Sequence, residues 1–485
     1  MTGRNFPDSD LLDKLAALLG PQGFVTDRDL VTPWLTDWRE RYHGESVALL
    51  APANREQVTE IVRLAAAAGV ALVPQGGNTG TVAGATPPAD GSGLLVSLRR
   101  MNRIRSISAE DNAVIAEAGV ILSDLHDAAG AIGRRFPLSL AAKGSATIGG
   151  LVSTNAGGTQ VLRFGPMRAL MLGIEAVLPD GSLFDGLATL RKDNRGYDLR
   201  QLLTGAEGTL GIVTAAALRL VPAVASRAVA WVGLADPAAA LTLLRRIEER
   251  TGEAVESFEL VPANALALVL DNIPGARAPL AEACPWNVLI EAVGTQGGPN
   301  PVEALEEALA AAIEQDLVID ATIAASETQA EALWALRESV SEAERIDGPS
   351  LKHDISVPVS EMPHFLVRER ERVESRFPGA RIIAFGHLGD GNIHFNLLPP
   401  EHAARAGWIA EHGAEATALI HDLVAACGGS LSAEHGIGQA KLAEFARLTD
   451  PVRLGALRAI KGALDPRGIM NPGKLLPLAS GDQGQ

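Results

Sequence analysis

Three glycine clusters limit what this chain can fold into: Gln75-Gly76-Gly77-Asn78-Thr79-Gly80, the run from Gly144 to Gly158, and Gly205 to Gly211. Glycine is required where the backbone takes positive φ or where another group must approach it closely. All three clusters fall before Pro222, between elements that read as short. Asn54 and Gln57 open a helix whose apolar face is Val58, Ile61, Val62 and Ala65. Gly69 ends it, and Val70 to Val73 reads as a buried strand feeding the first cluster. Strands are predicted at Leu94–Leu98, Ala113–Ala118 and Leu210–Leu220, with a hairpin turning at Pro179-Asp180-Gly181. Ser9 is expected to cap an amphipathic helix that stops at Gly20-Pro21. Residues 1–222 therefore read as one α+β domain.

After Pro222 the texture changes. Strands such as Ala228–Val232 and Asn287–Val293 alternate with Ala/Leu/Glu-rich helices, at Pro301–Glu314, Thr328–Arg345 and within His402–Ala426. A second domain of α/β type is expected over 223–429. Residues 430–485 return to glycine-rich loops and end in a frayed tail at Ala479–Gln485. A chain of 485 residues is too long for one ordinary core, in keeping with this division.

Amides exposed in glycine-rich loops form nests that bind phosphate oxygens without a basic side chain. Asn78 and Thr79 can cap such a nest or donate to a pyrophosphate. For any single cluster, a set of tight turns remains an equal reading. There is no Gly-x-Gly-x-x-Gly between a strand and a helix and no P-loop ending in Gly-Lys-Ser/Thr, so the usual NAD and P-loop folds are disfavoured. The net charge of −16 argues against nucleic acid, and a small anion would need a locally positive pocket. Two cysteines, Cys284 and Cys427, support no disulfide framework. Met1 to Asp10 lacks the apolar core of a signal peptide, and no apolar run reaches ~18 residues, so no membrane span and a cytoplasmic location are expected.

The chain has ten histidines, and three of them fall in two short segments. These are Gly386-His387-Leu388-Gly389-Asp390-Gly391-Asn392-Ile393-His394-Phe395-Asn396 and Glu434-His435-Gly436. His387, His394 and Glu434 can hold one divalent cation, leaving His435 beside it as a base. A pair of satisfied strand-end histidines with an incidental Glu is the plainer alternative. Strands Arg381–Phe385 and Ile393–Leu398 would flank the Gly386–Asn392 turn, and Asn396 would share the face of His394. Two imidazoles and a carboxylate suit zinc or ferrous iron alike. Arg337 and Ser341 are four apart on a predicted helix, Glu331–Arg345, and so share a face; Lys352 starts the next strand. Taken alone, Arg337 reads as a surface ion pair with Glu338 or Glu342.

Several of these motifs occur in one order: Pro74–Gly80; Phe136-Pro137-Leu138-Ser139-Leu140; Gly144-Ser145-Ala146-Thr147-Ile148-Gly149-Gly150; Thr154-Asn155-Ala156-Gly157-Gly158; Gly196-Tyr197-Asp198; Glu207-Gly208-Thr209-Leu210-Gly211-Ile212-Val213-Thr214. The ordered set resembles the FAD-binding domain of the vanillyl-alcohol oxidase superfamily, in its D-2-hydroxyacid dehydrogenase branch. The similarity runs from about Asp37 to Lys474. It implies a two-subdomain FAD-binding domain of the PCMH type, a substrate (cap) domain with an antiparallel sheet, and a C-terminal segment returning to the flavin. By the resemblance, Gly76, Gly77, Asn78, Thr79 and Gly80, after Pro74, wrap the pyrophosphate. Pro137, Gly144, Ser145, Ile148, Gly149, Asn155, Ala156 and Gly157 line the dinucleotide and the ring. Glu207, Gly208, Gly211, Ile212 and Val213 meet the adenosine half or the ring edge, and Asn471 sits near the flavin. Some members bond the flavin covalently through a His in the first loop. No His stands in Gln75–Gly80, so non-covalent FAD is expected.

Within that branch the D-2-hydroxyglutarate dehydrogenases look most similar, and there His387, His394 and Glu434 match zinc ligands. Zinc is preferred to Fe2+ or Mn2+, because a flavin already takes both electrons. Arg337, Ser341 and Lys352 match an Arg, a Thr and a Lys that grip a substrate carboxylate, with Ser here in place of Thr. The reaction implied is oxidation of a D-2-hydroxy acid, with a dicarboxylate such as D-2-hydroxyglutarate favoured over D-malate, D-lactate or glycolate. An electron-transfer flavoprotein or a quinone is the implied acceptor, and a homodimer the expected assembly. A zinc hydrolase, with the glycine clusters serving only as turns, is the alternative of another class.

Overall fold

A computed structural model describes residues 5–477; the tail expected at Ala479–Gln485 lies outside the described residues. They pack as two compact units, one of residues 5–158, 165–223 and 434–477, the other of residues 159–164 and 224–433.

The first unit holds two main sheets. One has the order β1-β2-β4-β3, from β1 (Phe24–Val25), β2 (Leu49–Leu50), β4 (Gly93–Ser97) and β3 (Ala71–Gln75), with β4 parallel to both β2 and β3. The other is antiparallel, β5-β6-β10-β8-β9, from β5 (Ile104–Ser108), β6 (Ala113–Glu117), β10 (Ile212–Arg219), β8 (Met171–Val177) and β9 (Leu183–Gly186). A small pair joins β7 (Arg134–Arg135) to β11 (Val221–Pro222). The helix Arg55–Ala68 starts where Asn54 Oδ1 accepts the Gln57 amide at 2.9 Å and Gln57 Oε1 accepts the Ala53 amide at 2.7 Å. It ends at Gly69, φ 68°, and buries Val58, Ile61, Val62 and Ala65. The first helix differs from expectation at both ends. Asp8 caps it in place of Ser9, because its carboxylate reaches the Leu11 amide, and the chain kinks at Gly20 and runs on to Gly23. The C-terminal segment closes onto β3, where Leu72 donates to the Ile469 carbonyl and accepts from the Asn471 amide. Ile469 and Met470 are thereby buried in the same core.

The second unit is built on one antiparallel sheet of seven strands. In chain order these are β12 (Ser226–Leu234), β13 (Val255–Pro262), β14 (Trp286–Gly294), β15 (Asp320–Ile323), β16 (Leu351–Ser356), β17 (Arg381–His387) and β18 (Asn392–Leu398). Their order in space is β15-β12-β14-β13-β17-β18-β16. Successive side chains alternate between faces, and both faces are covered. Phe258, Leu260, Ile382, Ile393 and Phe395 pack against the helices Pro237–Thr251, Pro301–Glu314 and Arg405–Ala426. Trp231, Val261, Ile383, Phe385 and Leu398 pack on the other side against Ala263–Asn272, Glu327–Glu338 and Val340–Asp347. That second face also carries a polar row. Glu259 stands opposite His387, Asp354 opposite His394, and Lys352 opposite Asn396. The helix predicted over Glu331–Arg345 is broken at Ser339, so Arg337 and Ser341 lie on separate helices: Arg337 is buried at 8% exposure and Ser341 is exposed. They do not share a face.

Candidate functional site

Within the first unit, the glycine clusters line a cleft of about 720 Å³. Pro74, Gly76, Gly77, Asn78, Thr79 and Gly80 form one wall; Ser145, Gly149, Ala156 and Gly157 another; Glu207, Gly208, Gly211, Ile212 and Val213 a third. Glu434 and His435 line it too. The walls are largely backbone brought into close approach. A Cβ on Gly76 would strike Thr147 Oγ1, and one on Gly77 would strike the Ser145 carbonyl. Asn78 holds φ 54°, and its side-chain amide donates to the Thr36 carbonyl at 2.9 Å, which fixes the turn. Three buried polar atoms of lining residues, Gln75 Oε1, Thr81 Oγ1 and Thr147 Oγ1, have no protein partner. Buried polar groups are rarely left so, and a long polar ligand in this cleft would satisfy them.

Five residues expected on the ligand do not line the cleft: Pro137, Gly144, Ile148, Asn155 and Asn471. Ile148 begins the helix Ile148–Thr154 with its side chain fully buried. Asn155 caps that helix at φ 50° and accepts the Arg168 amide at 2.8 Å. Pro137 is buried, whereas Gly144 is exposed. Asn471 braces the cleft, for its amide donates to the carbonyls of Gly84 and Glu207, both in the lining. The sequence reading missed Trp38 and Leu140, which do line it.

Glu207 was expected to face the adenosine half or the ring. It lines the cleft, and its carboxylate accepts the amides of Ile437 at 2.8 Å and Gly438 at 2.7 Å, two and three residues beyond His435. Burial pushes this carboxyl up, opposed by those two amides. The side chain therefore ties down the turn that follows the candidate base.

The second unit collects the remaining candidates on the polar row. The rings of His387 and His394 stand edge to face, with centroids 5.7 Å apart. His387 Nδ1 donates to Glu259 Oε1 at 2.6 Å, which makes Nε2 the nitrogen that could take a metal. Arg337 donates to the other oxygen of Glu259 from Nε and Nη2, at 2.9 and 2.8 Å, and its guanidinium lies over the Phe385 ring. Burial alone would raise the Glu259 carboxyl, but the charges of His387 and Arg337 hold it down to about 2. Lys352 and Asn396 converge on a second buried carboxylate, Glu344, at 2.6 Å and 2.8–2.9 Å. Burial pushes this carboxyl up, against the pull of Lys352 and Asn396. Glu259 and Glu344 were not foreseen. An acid inside the apolar strand Val255–Pro262 was the available signal for the first; nothing local marks the second. Asp354 holds Asn392 at 3.0 Å beside His394, and its carbonyl accepts the amide of Ala433, the residue directly before Glu434 and His435 in the chain.

Comparison with known proteins places the chain in a family. Residues 47–186 match the family described as an FAD binding domain, and residues 224–475 match FAD linked oxidases, C-terminal domain. The chain belongs to the FAD-linked oxidases. It is 36% identical to a mitochondrial D-2-hydroxyglutarate dehydrogenase of Arabidopsis thaliana, over 97% of this chain and 82% of that protein. It is 37% identical to the Bos taurus mitochondrial enzyme of that name, over 96% and 84%. With the Stutzerimonas stutzeri D-2-hydroxyglutarate dehydrogenase it shares 36%, over 96% and 99%. Solved structures share the fold at low identity: p-cresol methylhydroxylase superposes with TM-score 0.74 at 16% identity, over 96% of both chains, and a 4-ethylphenol oxidase from Gulosibacter chungangensis with 0.69 at 18%, over 97% of this chain and 98% of that one. The chain is thus an FAD-dependent dehydrogenase of the D-2-hydroxyacid dehydrogenase family, and the hydrolase alternative falls away. No helix among the described residues is long and apolar enough to cross a membrane.

Proposed function

We propose that this flavoenzyme oxidises a D-2-hydroxy acid to the 2-oxo acid with the help of a bound divalent cation, and that D-2-hydroxyglutarate is the substrate to try first. The observation that carries the reading is the position of His435, a base lining the glycine-walled flavin cleft. FAD bound among Gly76–Gly80, Gly157 and Gly208 would supply an acceptor for the hydride leaving C2. FAD is held without a covalent bond, since no His stands in the Gln75–Gly80 loop. His387 and His394, with Glu434, would hold the cation, zinc in the first instance, which would supply Lewis-acid polarisation of the 2-hydroxyl. Glu259 fixes the His387 tautomer by accepting from Nδ1. His435 accepts the hydroxyl proton on an imidazole nitrogen, since an imidazole titrates near working pH. Hydride and proton together convert the alcohol to the ketone. The electrons would pass on to an electron-transfer flavoprotein or a quinone.

An anaerobic titration of the visible flavin band with D-2-hydroxyglutarate, D-malate and D-lactate, before and after chelation, tests the reading. Bleaching by a D-acid that is lost on chelation and restored by zinc is the expected result. Bleaching that survives complete chelation removes the metal from the reaction, and no bleaching by any D-2-hydroxy acid overturns the substrate class.

A further inference from the structure

The positive charge expected at the substrate's side-chain end is already balanced within the protein. Arg337 and Lys352 were the two cations available to grip a second carboxylate, and each has a buried carboxylate of its own. Arg337 is bound to Glu259 at 2.8 Å, and Lys352 to Glu344 at 2.6 Å. Glu344 is 0% exposed, and Asn396 Nδ2 reaches its two oxygens at 2.9 and 2.8 Å. Both oxygens face donors, so Lys352 already has its counter-group inside the protein.

The place of this cluster on the sheet matters. Lys352 and Asn396 are cross-strand partners on the face that carries His394, two residues further along the strand. At the rise of an extended strand that is roughly 7 Å, within reach of the side chain of a four- or five-carbon acid. A second carboxylate arriving there meets one ammonium already paired and one anion already buried, and a buried charge without its own counter-charge is costly. An amide or hydroxyl can instead accept from the partly exposed Lys352 without adding a charge to the pair.

Building on the proposed reaction, we propose that Glu344 is a specificity-determining residue and that the preferred substrates are D-2-hydroxy acids whose side chain ends in an uncharged amide or hydroxyl. The test compares D-2-hydroxyglutarate with its 5-carboxamide analogue, which has the same shape without the second charge. kcat/KM is measured for both with the wild type, with Glu344→Gln, and with Glu342→Gln as a control that removes an exposed carboxylate paired with Arg345 on the same helix. The wild type is expected to prefer the amide by about tenfold or more, and Glu344→Gln to move the ratio toward the diacid by a similar factor. Glu342→Gln should keep the wild-type ratio. Wild-type preference for the diacid, or an unmoved ratio in a flavin-loaded Glu344→Gln enzyme, overturns the assignment. Should that variant fold poorly, the wild-type ratio decides. If no D-2-hydroxy acid bleaches the flavin, the proposed reaction fails and this inference with it; bleaching in the wrong order of preference sinks this inference alone.

Discussion

The two units present opposite kinds of surface. The first presents a cleft walled by peptide backbone, where glycine lets chain approach chain and polar side chains such as Asn78 are turned to brace the loop. The second presents a row of charged and titratable side chains on an antiparallel sheet, most of them held by partners far away in sequence. Backbone recognition depends on shape and survives many side-chain changes. Side-chain recognition depends on charge balance, where one substitution leaves a buried partner unanswered. The comparison sorts mutations: in the cleft, damage follows added volume; on the sheet, it follows removed charge.

His435 tests the contrast most severely, because it lines the backbone-walled cleft yet is assigned a chemical task. His435→Ala is expected to lower kcat by about 10²–10⁴-fold with FAD still bound. Stopped-flow flavin reduction and flavin content per chain measure the two effects separately. A variant that loses flavin while each remaining holoenzyme turns over normally would make His435 part of the cradle and blur the division.

Next in size is the carboxylate behind His387. Glu259→Gln keeps the shape but offers His387 Nδ1 a weaker and ambiguous partner, and Arg337 loses its buried anion. Metal affinity or activity is expected to fall about 10–100-fold, the usual cost of losing an outer-shell carboxylate on a ligating imidazole. Metal content after dialysis, followed by zinc titration, reads this directly. Unchanged metal content and turnover would deny that the sheet works through paired charge.

The same contrast explains what the sequence could reveal. Glycine clusters and helix caps act within a few residues, so Asn54, Gln57, Gly69 and the loop Gly76–Gly80 were legible, as was the hairpin that places His387 and His394. Glu259 lies 128 residues from His387, and Glu344 lies 52 from Asn396. Strand register sets Glu259 opposite His387, and the helix Val340–Asp347 packed on the sheet brings Glu344 to Lys352 and Asn396. The helix break at Ser339 was hidden for a related reason. The sequence on either side is strongly helix-forming, and the break is set by which residues the sheet buries: Arg337 goes in and Ser341 stays out. Ile148 and Asn155 show the limit of motif reading, since a motif can mark a loop while some of its residues only hold the loop together.

Gly77→Ala probes the backbone side. Its Cβ would meet the Ser145 carbonyl, so loop or ligand must shift, at about 1–3 kcal/mol by the usual cost of overpacking. The expected result is a protein that folds but purifies with much of its flavin missing, measured as visible flavin absorbance per chain and by reconstitution with added FAD. Full occupancy with unchanged affinity would mean that the loop yields cheaply and that the close approach is incidental.

The smallest effect is the most discriminating, because it separates the Asn78 side chain from its backbone. Asn78 takes φ 54°, a conformation that costs a residue with a Cβ about 1–2 kcal/mol and glycine almost nothing. Its amide also donates to the Thr36 carbonyl, a hydrogen bond worth about 0.5–1.5 kcal/mol net. Asn78→Gly loses only the hydrogen bond, while Asn78→Ala loses it and adds backbone strain. If the loop recognises its ligand through backbone, the glycine variant binds FAD within a few-fold of the wild type and the alanine variant binds several-fold more weakly. Flavin fluorescence titration of the apoproteins gives both numbers. Equal weakening of the two, well beyond one hydrogen bond, would show the Asn78 side chain touching the ligand, and the cleft would then share the side-chain logic of the sheet.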